Sequence, residues 1–335
     1  MKRLLIAAVL LGLLLAGAAA YFIAAWTAPG PAGPRVLLIE PGAHVHALTR
    51  RMEAEGLVRS GLLFEAELRL RRLAEKLKAG EYAVRAHASM ADIAAILVAG
   101  KSIQHKLTAA EGLTSKMIYD LVKADPVLVG DPGPVPQEGT LLPETYLFIR
   151  GETRKAMLAR MAKAQRRFLA AAWAARAPGL PFATPREAVI MASIVEKETA
   201  LPDERRHIAG VFNNRLKLGM RLQSDPTIIY GLNGGYPLGR GIRQSEIAGA
   251  TLYNTYVIAG LPPGPICNPG KDSIAAVLNP AATDDLYFVA SGAGGHVFAA
   301  TMAEHLKNVS ALRASERRRE AGEARAAPPA RKRGR

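Results

Sequence analysis

Two glutamates stand two residues apart in the run Ile190-Met191-Ala192-Ser193-Ile194-Val195-Glu196-Lys197-Glu198-Thr199, and helical phase gives them different surroundings. At about 100° per residue, Ile190, Met191, Ile194 and Val195 fall on one stripe, with Glu198 close to its centre. Glu196 points to the other side, near Ser193 and Lys197, where a solvated glutamate belongs. Desolvation disfavours the charged form of a carboxyl and raises its pKa. Glu198 is therefore suited to keep its proton near neutral pH and deliver it as a general acid. The bland alternative is a helix that frays before Glu198, leaving it in solvent or paired with Arg205 or Arg215.

Cleavage of a glycosidic bond is one chemistry such a glutamate serves, because the leaving oxygen must receive a proton as the bond breaks. Hydrolases usually need a second carboxylate, and Asp225 in Arg221-Leu222-Gln223-Ser224-Asp225-Pro226-Thr227 is the visible candidate. Asp-Pro is also a common turn former whose side chain caps backbone groups. Tyr230, Asn254 and Tyr256, with Tyr253 between them, suit stacking on and hydrogen bonding to sugars, although closely spaced tyrosines also pack cores. With Gln223, Ser224 and Asp225 they form the candidate substrate-binding set. Pro262-Pro263-Gly264-Pro265 reads as a rigid loop. No metal and no cofactor is expected. Cys267 is the single cysteine, so no internal disulfide forms, and among seven histidines only His44 and His46 stand close, without partners.

The glutamates need a well-specified helix. Thr184-Pro185-Arg186-Glu187 supplies an N-cap hydroxyl, a proline at the first helical position and a glutamate at the third, predicting a helix to about Thr199. A second helix is expected from Pro202 to Leu218, with Gly219 past its end, then a turn-rich, aromatic-rich region through Gly270. Leu286–Ala290 and His296–Ala299 flank a Gly-rich turn and read as a hairpin. Upstream, a strand is expected over Val36–Ile39 and helices over Val45–Glu55 and Ser60–Leu77, followed by an extended Gly80–Val84. Ser89 then caps a helix that Gly100 ends. Beyond this small α+β module come an extended stretch from Ile103 to Thr108 and a long helix from Thr153 to Ala174.

The 335 residues are 49% apolar and 22% charged, a composition that folds, and their net charge is +15. A basic excess raises the question of nucleic acid. Yet residues 316–335 hold eight basic and three acidic side chains among Ala, Gly and Pro, which reads as a solvated disordered tail rather than a nucleic-acid site. At the other end, Lys2 and Arg3 precede an uncharged stretch from Leu4 to Pro34 whose first part, to Trp26, is long and apolar enough to span a bilayer. The small-residue run Ala16–Ala20 also suits a cleaved signal, but Tyr21, Phe22 and Trp26 extend the apolar stretch and favour a retained anchor. The leading cations then stay cytoplasmic, and everything after residue 30 lies on the outer side. The expected organisation is an α+β fold: anchor 1–30, linker 31–35, small module 36–100, a larger mixed α+β catalytic domain 101–315 and the tail.

Several ordered blocks carry a resemblance: Ala192–Thr199, Val211-Phe212-Asn213-Asn214-Arg215-Leu216, Met220–Thr227, Tyr253–Tyr256, Gly260–Ile266, the Tyr287–Ala290 to His296 hairpin, and Glu138–Tyr146 upstream. The chain resembles the YceG-like family of endolytic murein transglycosylases, also called MltG, from the anchor to about Val309. Leu142 and Glu144 depart from it, standing where a second aromatic and an aspartate are commoner. The resemblance implies a single-pass inner-membrane protein with a LysM-like module at 36–100, a periplasmic catalytic domain and one essential glutamate, which maps onto Glu198. It further implies a lyase that cuts the bond between N-acetylmuramic acid and N-acetylglucosamine in nascent peptidoglycan strands. A 1,6-anhydro end results and elongation stops. One carboxyl serves twice, first protonating the leaving oxygen and then taking the proton of the muramyl C6 hydroxyl. Two alternatives stay open: a hydrolase using Glu198 with Asp225, and a non-catalytic wall-binding scaffold. Association with penicillin-binding synthases would suit a terminase, though no residue here announces it.

Overall fold

The computed structural model describes residues 2–40 and 42–326. The chain divides into two compact units. The smaller holds Met1–Leu107, Asp125–Gly130 and Tyr146–Thr153; the larger holds Thr108–Ala124, Asp131–Thr145 and Arg154–Arg335. The fold is mixed α+β.

The smaller unit starts with helix α1 (Lys2–Thr27). Its stretch Leu5–Thr27 has a mean hydropathy of 2.4 and is exposed along most of its length, touching the rest of the unit only near its C-terminal end, at Ala25 and Trp26. Twenty-three residues at about 1.5 Å each reach roughly 35 Å, enough to cross the hydrocarbon of a bilayer. Then come β1 (Arg35–Ile39), α2 (Val45–Ala54), α3 (Gly61–Leu70), β2 (Gly80–Val84) and α4 (Met90–Ala99). β1 and β2 pair antiparallel, Arg35 opposite Val84 and Ile39 opposite Gly80. Period-two alternation turns Leu37, Ile39, Tyr82 and Val84 inward onto Leu48, Met52, Phe64, Leu68, Ile93 and Leu97. Ser89 and Asp92 close a reciprocal capping box at α4, which ends on left-handed Gly100.

Two features differ from expectation. Helix α3 ends at Leu70 instead of running to Leu77, because Arg72 turns left-handed (φ 52°) and Leu73 N–H reaches back to the Leu68 carbonyl at 2.7 Å. This six-to-one closure is a helix stop in which Leu73 returns to the core. The Pro/Gly stretch expected as a linker is also pinned. His87 N–H donates to the Pro31 carbonyl at 2.7 Å, and a Cβ on Gly30 would meet the Ala88 carbonyl oxygen at 2.1 Å. Trp26, near the end of α1, is 8% exposed and lies on Phe64, ring centres 5.6 Å apart. Phe64→Ala is expected to destabilise this unit by about 3–5 kcal/mol, read as a lower denaturation midpoint in detergent.

In the rest of the chain, β3 (His105–Thr108) pairs with β4 (Thr145–Phe148). The larger unit is mostly helical, with α5 (Ser115–Ala124), α6 (Arg154–Ala174), α7 (Pro185–Glu198), α8 (Pro202–Lys217), α9 (Asp225–Asn233), α10 (Gln244–Ile247) and α11 (Lys271–Leu278). A hairpin, β5 (Tyr287–Ala290) with β6 (His296–Ala299), and helix α12 (Met302–Ala326) follow. Helix α7 is the hub, packed by α6, α8, α9 and α11, so Ala188 through Val195 are all buried. Helix α12 continues through residues 316–326, the first half of the expected disordered tail, since Ala, Glu and Arg are good helix formers. Residues 327–335 lie outside the described residues.

Candidate active site

The predicted start of α7 is present in full. Thr184 Oγ1 accepts from Glu187 N–H at 3.3 Å, the Glu187 carboxylate accepts from Thr184 N–H, and Pro185 takes the first helical position. Fixing that end fixes the phase of the whole helix. Its last residue, Glu198, opens on a cleft of about 290 Å³ walled by Arg215, Leu222, Gln223, Asp225, Tyr256, Phe288 and His296.

Glu198 accepts a short hydrogen bond from Ser224 Oγ. Ser224 stands at the N-cap position of α9 yet makes no side-chain cap bond there; its hydroxyl serves the glutamate instead. Burial pushes the Glu198 carboxyl up to about 7. The Ser224 hydrogen bond opposes this, the Asp225 charge adds to it, and His296 and Arg215 oppose it in part. A group with that pKa holds its proton in a large fraction of molecules at neutral pH and takes it back readily, as a group that must act as acid and then base requires.

Arg215 frames the cleft. It is 7% exposed, and its guanidinium donates to the carbonyls of Leu286 (2.6 Å) and Leu222 (2.8 Å) and lies 5.2 Å from the centre of the Tyr287 ring. It thus ties α8, the Leu222–Ser224 loop and the hairpin together. A second brace is Thr255, whose hydroxyl accepts from Ser224 N–H at 2.9 Å and whose carbonyl accepts from Gln223 N–H at 3.1 Å. Between these braces Gln223 is held left-handed at φ 54°, an uncommon conformation for a residue with a side chain. His296 enters from the hairpin. Glu204 grips it twice, at Nδ1 (2.8 Å) and at the backbone N–H (2.7 Å), and Glu204 is itself held by the Thr199 hydroxyl at 3.0 Å.

The candidate binding residues divide. Gln223, Asp225 and Tyr256 line the cleft, Ser224 reaches it through Glu198, and Tyr256 OH donates to Asp225 Oδ1 at 2.7 Å. Asp225 is the first residue of α9 rather than part of a free turn. Asn254 and Tyr230 stand elsewhere. The Asn254 side chain is 1% exposed, and its amide donates to the carbonyls of Ile247 (2.9 Å) and Gly249 (2.7 Å), which holds a loop. Tyr230 packs on Tyr253 and donates to Glu138 at 3.2 Å. Glu138 also accepts from Ser115 N–H (2.7 Å) and the Asn268 amide (3.1 Å), so the Glu138–Tyr146 motif does structural service at its first residue.

Glu196 is a correction. It points away from Glu198 as expected, but its side chain is 6% exposed rather than solvated. Gly270 N–H donates to it at 2.9 Å and Arg205 lies 3.9 Å away. A helix packed by four others has little face left for water, which sequence phase alone cannot show. Arg205 goes to Glu196 and Asp272, and Arg215 to backbone, so neither takes Glu198 as its hydrogen-bonding partner. The sequence reading missed His296 and Glu204 as a pair, and Arg215 as a frame. Arg215 and His296 stood in the ordered blocks, while Glu204, ninety-two positions from His296, carried no signal in the sequence. A larger cavity, about 650 Å³, lies at the opposite end of α7, where Glu187 is spent on the helix cap.

The larger unit is thus a mixed α+β body that brings a desolvated carboxyl, Glu198, to the end of a central helix, where it opens on a polar cleft walled in part by a hairpin. The description of the YceG-like family matches residues 37–311. The chain belongs to the YceG-like family. It is 29% identical over 321 residues to the endolytic murein transglycosylase of Streptococcus pneumoniae serotype 2 (strain D39), covering 81% of this chain and 57% of that protein. Over 117 residues it is 44% identical to the endolytic murein transglycosylase of Bacillus subtilis (strain 168), covering 35% and 32%. The chain therefore matches about half the length of one relative and a third of the other. A crystal structure of a YceG-like protein from Listeria monocytogenes matches with a TM-score of 0.50 at 28% identity, over 82% of this chain and 98% of that one.

Proposed function

We propose that the larger unit is an endolytic lytic transglycosylase that cleaves the N-acetylmuramic acid–N-acetylglucosamine bond of nascent peptidoglycan strands. The observation that carries this is Glu198, a carboxyl whose burial pushes its pKa to about 7, at the wall of the cleft. Glu198 gives its proton to the leaving glycosidic oxygen as the bond to the muramyl anomeric carbon breaks. The resulting carboxylate takes the proton of the muramyl C6 hydroxyl, whose oxygen closes on that carbon. A 1,6-anhydro end forms, Glu198 is reprotonated and no water is consumed. Ser224, bonded to Glu198, orients the carboxyl; Tyr256, Asp225 and Gln223 supply the polar wall for the sugars. Acid–base help of this kind contributes about 10² to 10⁴ in rate, so positioning and charge stabilisation supply the rest.

In this reading α1 is a single inner-membrane anchor with its N-terminus cytoplasmic, the chain after it is periplasmic, and residues 36–100 are a LysM-like module that engages glycan. Its own core and compact α+β architecture support the assignment. A terminase so placed would work beside penicillin-binding synthases.

A hydrolase reading stays alive because Asp225 lines the same cleft. Digestion of uncrosslinked strands in oxygen-18 water separates the two. Mass spectrometry is expected to show anhydromuramyl ends without the label; a labelled reducing end would assign hydrolysis instead.

A further inference from the structure

We propose that the outward face of α3 and the basic turn after it form a surface that rests on anionic phospholipid, so that the small module lies on the bilayer its own helix crosses. This rests on the proposed anchoring of α1. Residues near the end of a membrane span sit at headgroup level, and here that end does not lead into a free tether. Trp26 stacks on Phe64 of α3, and the Arg71 guanidinium lies 5.9 Å from the centre of its ring. The Pro31–His87 hydrogen bond and the Gly30–Ala88 close approach hold the crossing rigid. Any element touching Trp26 is therefore within about one helix diameter, ~10 Å, of the interface.

Towards solvent α3 presents apolar side chains beside a cluster of cations. Phe64 and Leu68 turn inward, fully buried, while Leu62 and Leu70 are 68% and 80% exposed. Those two leucines are eight residues apart, on one row of the helix. Flanking and following Leu70, Arg69, Arg71, Arg72, Lys76 and Lys78 face solvent with Glu75 as the one acid among them. Arg69 and Arg71 pair with Glu65 and Glu67; Arg72 and the lysines make no such pair among the described residues. Apolar side chains on one face beside a run of cations are the chemistry of an interfacial helix: leucines enter the acyl boundary and cations meet lipid phosphate. Continuity with the membrane span selects the occupant, since α1 delivers Trp26 directly onto α3.

The test uses the full chain reconstituted in vesicles of phosphatidylcholine with about one-third phosphatidylglycerol. Cys267 is buried, so an environment-sensitive fluorophore can be placed on Leu62→Cys, on Leu70→Cys, or on Leu14→Cys within the span. Brominated acyl chains are expected to quench labels at 62 and 70 at least about twofold, iodide in the water to reach them poorly, and removal of phosphatidylglycerol to weaken the quenching. If the label at 14 is quenched and those at 62 and 70 are not, the anchor stands and this proposal falls. If none is quenched, the anchor reading falls and takes the proposal with it. Shielding from iodide without quenching by brominated lipid would assign the face to a protein partner and overturn it too.

Discussion

Glu198→Gln is expected to lower the rate of strand cleavage by about 10² to 10⁴, with the fold intact. Glutamine keeps the size of the side chain and an oxygen to accept from Ser224, but it has no proton to give and no carboxylate to form. Both halves of the proposed cycle fail together, so the loss should fall on kcat with little change in KM. The measurement is release of anhydromuramyl products from uncrosslinked glycan, with circular dichroism as the check on folding. A variant cleaving within about twofold of the parent would sink the catalytic assignment and leave the scaffold reading standing.

The second large effect is on pH. With the Glu198 carboxyl at about 7, the free protein must be protonated there to begin the reaction. The value of kcat/KM should therefore fall about a hundredfold between pH 6 and pH 9, with its bend near neutrality. Stability should follow the same sign. The folded pKa is raised above the usual 4.5, so the unfolded chain loses this proton first. Stability from the neutral carboxyl is complete below about pH 4.5 and is lost as pH rises towards 7. Glu198→Gln removes the titration. At pH 8 it should be the more stable protein, by on the order of 1–3 kcal/mol, while being the inactive one. An activity profile flat to pH 9, or a variant less stable than its parent at pH 8, would remove desolvation as the basis of the acid. Ser224→Ala should move the bend upward, because it deletes the largest influence holding the pKa down.

How far the sequence carried these points depended on the range of the interaction. Local chemistry was legible. The Thr184–Glu187 cap, the Ser89–Asp92 box, Gly100 and the β5–β6 hairpin are specified by neighbours within a few residues and stand where the spacing puts them. Phase set Glu198 apart from Glu196, and the ordered blocks around it, rather than phase alone, made it the candidate. What failed was anything decided by residues distant in the chain. Glu196 is buried because Gly270 closes over it, seventy-four positions away. Tyr230 is consumed by Glu138, ninety-two positions away. Asn254 was missed for a different reason: its partners are near, the Ile247 and Gly249 carbonyls, but an irregular loop has no periodicity to reveal them. α9 was hidden because Asp-Pro reads equally as a turn and as the first two residues of a helix. α5 and α11 were passed over as well; α11, at eight residues, is too short for its periodicity to speak before α7 and α8 pack on it.

The pinned junction at the end of α1 has a mechanical side. A flexible tether would isolate the module from whatever α1 does. With Trp26, Gly30 and Pro31 clamped, the helix and the module turn as one lever. A helix with about 23 apolar residues answers a thinner bilayer by leaning, and a lean of the helix becomes an equal tilt of the module against the surface beneath it. In the proposed placement, local membrane thickness would thus set the angle at which the small unit meets the wall polymer above.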